Sequence, residues 1–212
     1  MYATVILANG DFPRKNGRAW KILTAAKRVV ACDGAARTYR RRFGKWPDLV
    51  VGDMDSLKGR LPDSVEAVRI PDPDTNDLVK AIRSCRARGW KDLVVVGASG
   101  RREDHLIGNV FRALEERVPM VSDRGEFHPV VGKAVFRCGK GAGVSVFAPD
   151  SKTRMTSRGL VWPLDGVRFE NLHCATLNRT SATSFTVTAD RPVTVYVDVA
   201  KFPVLKSLGK RL

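Results

Sequence analysis

A chain of 212 residues with 43% hydrophobic and 28% charged side chains can bury a sizeable core and has room for one large domain or two small ones. No apolar run approaches the roughly 20 residues of a membrane-crossing helix, and the first residues carry neither a basic region nor a cleavage pattern, so neither a membrane partner nor a secretory signal is expected. The formal charge of +15 raises the question of a polyanionic partner. Aromatic residues make up only 8%, however, and none of the basic runs, Arg40-Arg41-Arg42 included, alternates with stacking side chains. A solvated basic surface that also attracts polyphosphate is therefore the preferred reading, and a nucleic-acid partner is not expected. The four cysteines are far apart without a C-x-x-C pair, and the three histidines are scattered. Buried thiols in a reducing, cytoplasmic setting are expected rather than disulfides or zinc.

Taken in chain order, residues 4–8 read as a buried strand, 19–27 as a helix, and 29–32 as a strand. A helix over 35–43 is closed by Gly44, and strands follow at 49–51 and 68–70. Residues 77–88 place Leu78, Ala81, Ile82 and Cys85 on one helical stripe that stops at Gly89. Residues 93–96 form a fully apolar strand, 104–117 a helix and 120–122 a last strand. This alternation predicts a Rossmann-like α/β domain over 1–125, a mostly parallel sheet with helices on both faces. Beyond it the helical period vanishes. Short β-branched or alternating runs at 133–137, 144–148, 154–157, 184–188 and 193–199, separated by turns at 139–143 and 189–192, predict a smaller antiparallel β-sandwich over 126–212, ending in a basic tail.

Acidic residues recur where strands end or helices begin: Asp33, Asp53, Asp55, Asp77 and Asp104. In an open parallel sheet these positions share the edge where ligands bind. One Asp before a helix is ordinarily an N-cap. Gly52-Asp53-Met54-Asp55-Ser56 is sharper, because two carboxylates alternating in an extended segment would point the same way and gain nothing from capping. Clustered carboxylates repel unless a cation neutralises them, so a divalent metal with phosphates as its other ligands is the first expectation. Gly97-Ala98-Ser99-Gly100-Arg101-Arg102-Glu103-Asp104-His105 adds a glycine loop, two arginines and a carboxylate after the most apolar strand. No G-x-x-x-x-G-K-[ST] is present, which excludes a P-loop, and the histidines support no triad or zinc hydrolase.

Ala31-Cys32-Asp33-Gly34-Ala35-Ala36, Pro47-Asp48 with Gly52-Asp53-Met54-Asp55-Ser56, Asn76-Asp77-Leu78-Val79-Lys80-Ala81, and the 97–105 segment with Asn109 together resemble the thiamine pyrophosphokinase family. Gly159-Leu160-Val161-Trp162-Pro163-Leu164 and Thr176-Leu177-Asn178 extend the resemblance over nearly the whole chain. It implies transfer of the diphosphate of ATP to the hydroxyl of thiamine, with Arg102, and Arg101 or Lys80, on the triphosphate and Asp77 or Asp104 accepting or orienting the hydroxyl proton. It also implies Mg²⁺ on Asp53, Asp55, Asp77 and Asp104, and a nucleotide site lined by Asn9, Gly10, Asp33, Gly34, Asn76, Lys80, Gly97, Gly100 and Arg101. Thiamine contacts fall on Trp162, Thr176 and Asn178, in a homodimer with its active site at the interface. The chain departs from the family's pattern at Ala35, Pro73, Asn76, Ala175 and Leu177. A related transferase acting on another alcohol, or a non-catalytic nucleotide- or RNA-binding protein, are the alternative readings.

Overall fold

In the computed structural model, which describes residues 2–57 and 59–199, the chain divides into two units, Met1–Ser122 and Asp123–Leu212. The first contains strands β1 (Thr4–Leu7), β2 (Arg28–Cys32), β3 (Leu49–Gly52), β4 (Ala67–Arg69), β5 (Leu93–Val96) and β6 (Met120–Val121). They lie in the order β6-β5-β1-β2-β3-β4, and the pairings β1–β2, β2–β3, β3–β4, β1–β5 and β5–β6 are all parallel. The central strands read as unbroken apolar runs because both faces of such a sheet are covered. On one face, helices α1 (Arg18–Ala25) and α2 (Ala35–Phe43) bring Ala19, Leu23, Ala36 and Tyr39 against Val5, Leu7, Ala31, Val50, Val94 and Val96. The alternate strand residues Ile6, Val30, Val51 and Val95 are equally buried and face the other way. There α3 (Asp77–Ala87) packs across β1, β2 and β3 and against α4 (Glu103–Glu115). The chain runs outward from β1 through β2, β3 and β4, then returns to the other side of β1 with β5. The order therefore reverses between β1 and β5, where doubly wound sheets open a crevice beyond their carboxyl ends.

The second unit holds β7 (Gly125–Arg137), β8 (Gly143–Phe147), β9 (Met155–Arg158), β10 (Ala175–Arg179) and β11 (Ser184–Asp198), paired antiparallel. β11 pairs with β7 in two stretches with a register shift between Ala189 and Val193. The first stretch also takes β9, and the second takes β8. Side chains from both stretches, including Val187, Phe136, Phe185 and Met155 with Val144, Val146 and Val195, meet in one core. The sequence reading separates two strands at Ala189-Asp190-Arg191-Pro192; the structure has a single bulged strand there. Pro192 sits within the irregularity, where no ladder donor is required of it, and Asp190 is tied to β9's approach by Arg154 N donating to Asp190 Oδ1 at 2.8 Å. Two further strands lacked an evident period in the sequence: the first half of β7, with Glu126 and His128 on its buried face, and β10. The basic tail lies outside the described residues.

Candidate active site

β2 and β3 are adjacent with Cys32 opposite Val51, so Asp33 and Asp53 leave the sheet at the same edge. Asp77 arrives with the first turn of α3, where the Cys32 thiol donates to the Asp77 carbonyl at 3.6 Å. Carboxylate oxygens of Asp33, Asp53 and Asp77 lie within 4.8 Å of one another. Gly52 permits this approach: a Cβ there would stand 2.9 Å from Asp33 Cβ and 3.3 Å from Asp77 Cγ. Asp33 is buried with a left-handed φ of 39°. Its Oδ2 accepts from the Ser56 amide at 2.9 Å and the Ser56 hydroxyl at 2.6 Å, while its buried Oδ1 has no hydrogen-bond partner among the described residues. The neighbouring cation is Lys80, itself buried, with Nζ 3.5 Å from Asp77 Oδ1. Burial pushes the Asp77 carboxyl above the ordinary Asp value, the charge on Asp53 pushes it further, and Lys80 offsets this in part. Three carboxylates, one with an undonated buried oxygen, and one amine leave an excess of negative charge. The donor set is all oxygen, which fits a hard divalent cation.

The loops after β1 and β5 emerge together because Leu7 lies opposite Val96. Gly10 N donates to the Gly97 carbonyl and Asp11 N to the Ser99 carbonyl, each at 2.7 Å. A Cβ at Gly10 would come within 2.5 Å of both carbonyl oxygens, so only glycine allows the two loops to touch. Arg101, with φ 59°, donates from Nη1 to the Asn9 carbonyl at 3.1 Å and to Asn9 Oδ1 at 3.3 Å. A Cβ on Gly34 would lie 3.0 Å from Asn9 Nδ2, so the Asn9 side chain lies against the β2 loop as well as bonding to Arg101 of the β5 loop. Asp11, which the sequence reading did not single out, thereby joins the expected Asn9, Gly10, Gly34, Gly97, Gly100 and Arg101 at the switch point.

Other expected residues are not members of the trio. The 53–56 segment is not extended: Met54 has φ 71°, and Asp55 N donates back to Asp53 Oδ1 at 3.1 Å. That turn breaks the two-residue alternation and leaves Asp55 exposed and outside the cluster. Asp104 is exposed near the start of α4 and ion-paired with Arg102 at 2.6 Å; this contact holds the Asp104 carboxyl below the ordinary Asp value and raises the guanidinium. Asn76 caps α3 by accepting from Val79 N at 3.1 Å and donates to Asn109 Oδ1 at 3.1 Å. From the sequence, Asp33 is expected in the acidic cluster but assigned to the nucleotide rather than the metal, and the supporting roles of Ser56 and Gly52 are missed, although both fall within the motifs quoted from it.

In the second unit, Asn178 is buried and its side chain bonds the Trp162 backbone, while Oδ1 also accepts from Arg179 N at 2.8 Å. Nδ2 donates to the Trp162 carbonyl at 2.7 Å and Oδ1 accepts from Trp162 N at 3.3 Å. The indole so held remains 56% exposed, and Leu177, with φ 62°, is 85% exposed. Thr176 donates from its hydroxyl to the His173 carbonyl at 2.8 Å.

The thiamin pyrophosphokinase catalytic-domain model matches residues 19–121, and the thiamin pyrophosphokinase substrate-binding-domain model matches residues 125–196. The chain belongs to the thiamin pyrophosphokinase family. Thiamin pyrophosphokinase 1 of Caenorhabditis elegans is 29% identical over 128 residues, which cover 55% of this chain and 53% of that protein; the chain thus spans about half the length of this relative. Solved structures share the fold at lower identity. Thiamin pyrophosphokinase from Candida albicans superposes with a TM-score of 0.73 at 17% identity, covering 93% of this chain and 89% of that one. The Bacillus subtilis thiamine pyrophosphokinase gives a TM-score of 0.70 at 15% identity, covering 92% and 98%. Among the described residues no helix is long and apolar enough to cross a membrane.

Proposed function

We propose that this chain transfers the β,γ-diphosphate of ATP to the hydroxyl of thiamine, giving thiamine diphosphate and AMP. The observation that carries the reading is the carboxylate trio at the sheet edge, in a chain whose two units match the catalytic and substrate-binding halves of one family. Asp33, Asp53 and Asp77 would hold Mg²⁺. Bound there, Mg²⁺ would neutralise polyphosphate oxygens and the charge that develops on the leaving group. The thiamine oxygen bonds to the β-phosphorus, the bridge from that phosphorus to the α-phosphate breaks, and its electron pair leaves with AMP. Asp77, at the trio, orients the hydroxyl and takes its proton. Asp104, kept ionised by Arg102, steers that guanidinium toward the triphosphate. The loops carrying Asn9, Gly10, Gly34, Gly97, Gly100 and Arg101 cradle the nucleotide, with Asn76 and Lys80 supporting the α3 end.

In the second unit, the exposed Trp162 forms an aromatic wall for thiamine. Asn178 acts by holding that wall, and Thr176 lines its edge. The bend shared by β7 and β11, with both halves feeding one core, supports a sandwich of two antiparallel layers. A homodimer with its site at the interface, in the cytoplasm, completes the reading. The test is thiamine-dependent AMP release from Mg·ATP, with Asp53→Ala expected to lower turnover by about 100-fold or more while preserving the circular dichroism spectrum. Near-normal turnover of that variant, or AMP release that ignores thiamine and follows another alcohol, would overturn it.

A further inference from the structure

Two-thirds of the +15 formal charge resides in about a sixth of the chain: residues 12–45 hold eleven Lys and Arg against a single acid, Asp33. Asp33 is buried in the carboxylate trio and neutralises none of this surface. The fold gathers these cations, because α1 and α2 pack on the same face of the sheet. The opposite helices manage their charge differently. Arg83 and Arg86 pair with Glu116, Arg88 with Glu66, and Arg112 with Glu115. On and after α2, by contrast, Arg37, Arg40, Arg41, Arg42 and Lys45 have no carboxylate partner among the described residues, and Arg41 donates only to Thr38 Oγ1 at 3.3 Å. One cation near a helix C-terminus is stabilising; three consecutive unpaired arginines repel one another and exceed what the helix dipole can use.

Aromatic rings distant in sequence meet beside these cations. Trp20 and Phe43 stand 5.0 Å apart by ring centroid, Phe12 lies 6.2 Å from Trp20 and 6.1 Å from Phe43, and all three are half-buried. The Arg42 guanidinium sits 5.7 Å from the Phe12 ring and that of Arg37 5.9 Å from Trp46. An acidic protein or an anionic lipid surface would need the charge alone. Cations beside half-buried aromatic rings suit a phosphodiester chain whose bases can stack.

We propose that the α1/α2 face binds single-stranded nucleic acid, with the backbone on Arg40, Arg41, Arg42, Lys45 and Lys21 and bases against Phe12, Trp20 and Phe43. The surface uses none of the residues assigned above to diphosphate transfer, so the two readings stand or fall separately. The experiment is fluorescence anisotropy of the full chain with a labelled oligouridylate of about 20 nucleotides, and with its deoxy counterpart to distinguish RNA from DNA. With five phosphate contacts, affinity should fall about 100-fold between roughly 50 and 200 mM salt. The Arg40→Gln/Arg41→Gln/Arg42→Gln variant should bind at least about tenfold more weakly, with the log–log salt slope reduced by about 2. Phe12→Leu, which keeps an apolar side chain but removes the ring, should weaken binding by about tenfold through lost stacking. Thiamine-dependent AMP release should be unchanged in both. The proposal is overturned if either variant binds like the wild type, if no binding is measurable at the lowest salt, or if polyglutamate or anionic vesicles compete as well as the oligonucleotide at equal charge.

Discussion

Asp77 holds its proton above the ordinary carboxylate range because burial and the charge on Asp53 both oppose ionisation. Its folded form therefore binds a proton more tightly than the unfolded chain does. That contribution to stability is full below the unfolded value of 3.8 and is lost as pH rises through the raised folded value. The metal-free protein should thus show a falling melting temperature across this window that Asp77→Asn lacks. A wild type and variant that titrate alike would remove the carboxylate repulsion from the account. Added Mg²⁺ should restore most stability at the upper end of the window, where Asp77 is charged. Gly52 sets the spacing of the same cluster. Because a Cβ there would press on Asp33 at 2.9 Å, Gly52→Ala should cost about 1–3 kcal/mol in urea unfolding and weaken Mg²⁺-dependent turnover more than it weakens folding.

At the scale of elements, α3 is the piece that completes the trio. Its buried stripe of Leu78, Val79, Ile82 and Cys85 docks it over the sheet, and the Asn76 cap fixes where its first turn begins. Asp77 is therefore positioned by apolar packing some way down the helix as much as by its own contacts. β10 plays the comparable part in the second unit, delivering Asn178 to the backbone of Trp162. Asn178→Ala should release that loop, raising the KM for thiamine by about tenfold with a much smaller change in kcat, since the side chain would hold the proposed thiamine wall rather than the reacting atoms. Steady-state kinetics with varied thiamine checks this, and a loss confined to kcat would contradict it. Strand β11 shows why sequence punctuation misleads. Ala189-Asp190-Arg191-Pro192 has the composition of a turn, yet its ends continue along the same partner strand with a shifted register.

Across the whole molecule, thiol chemistry reports the integrity of both units. Cys32, Cys85 and Cys138 are buried, burial pushing the first two thiols up, Cys85 to about 11, while Cys174 is exposed. Titration with a thiol reagent near pH 8 should find one fast-reacting cysteine in the folded chain and four in denaturant; a second fast thiol would mean that one core opens readily. Local composition determined much of this protein: the apolar strand runs, the helical stripe of 78–85, and acidic residues at successive strand ends follow from short-range periodicity. It therefore made the parallel sheet and the family motifs legible in advance. Which carboxylates converge was decided only by tertiary structure, because the adjacency of β2, β3 and the first turn of α3 joins Asp33, Asp53 and Asp77, while the left-handed Met54 turns Asp55 away. The aromatic cluster beside the arginines is of the same kind: Phe12, Trp20 and Phe43 become neighbours only when α1 and α2 share one face of the sheet, a long-range packing fact that no local period encodes.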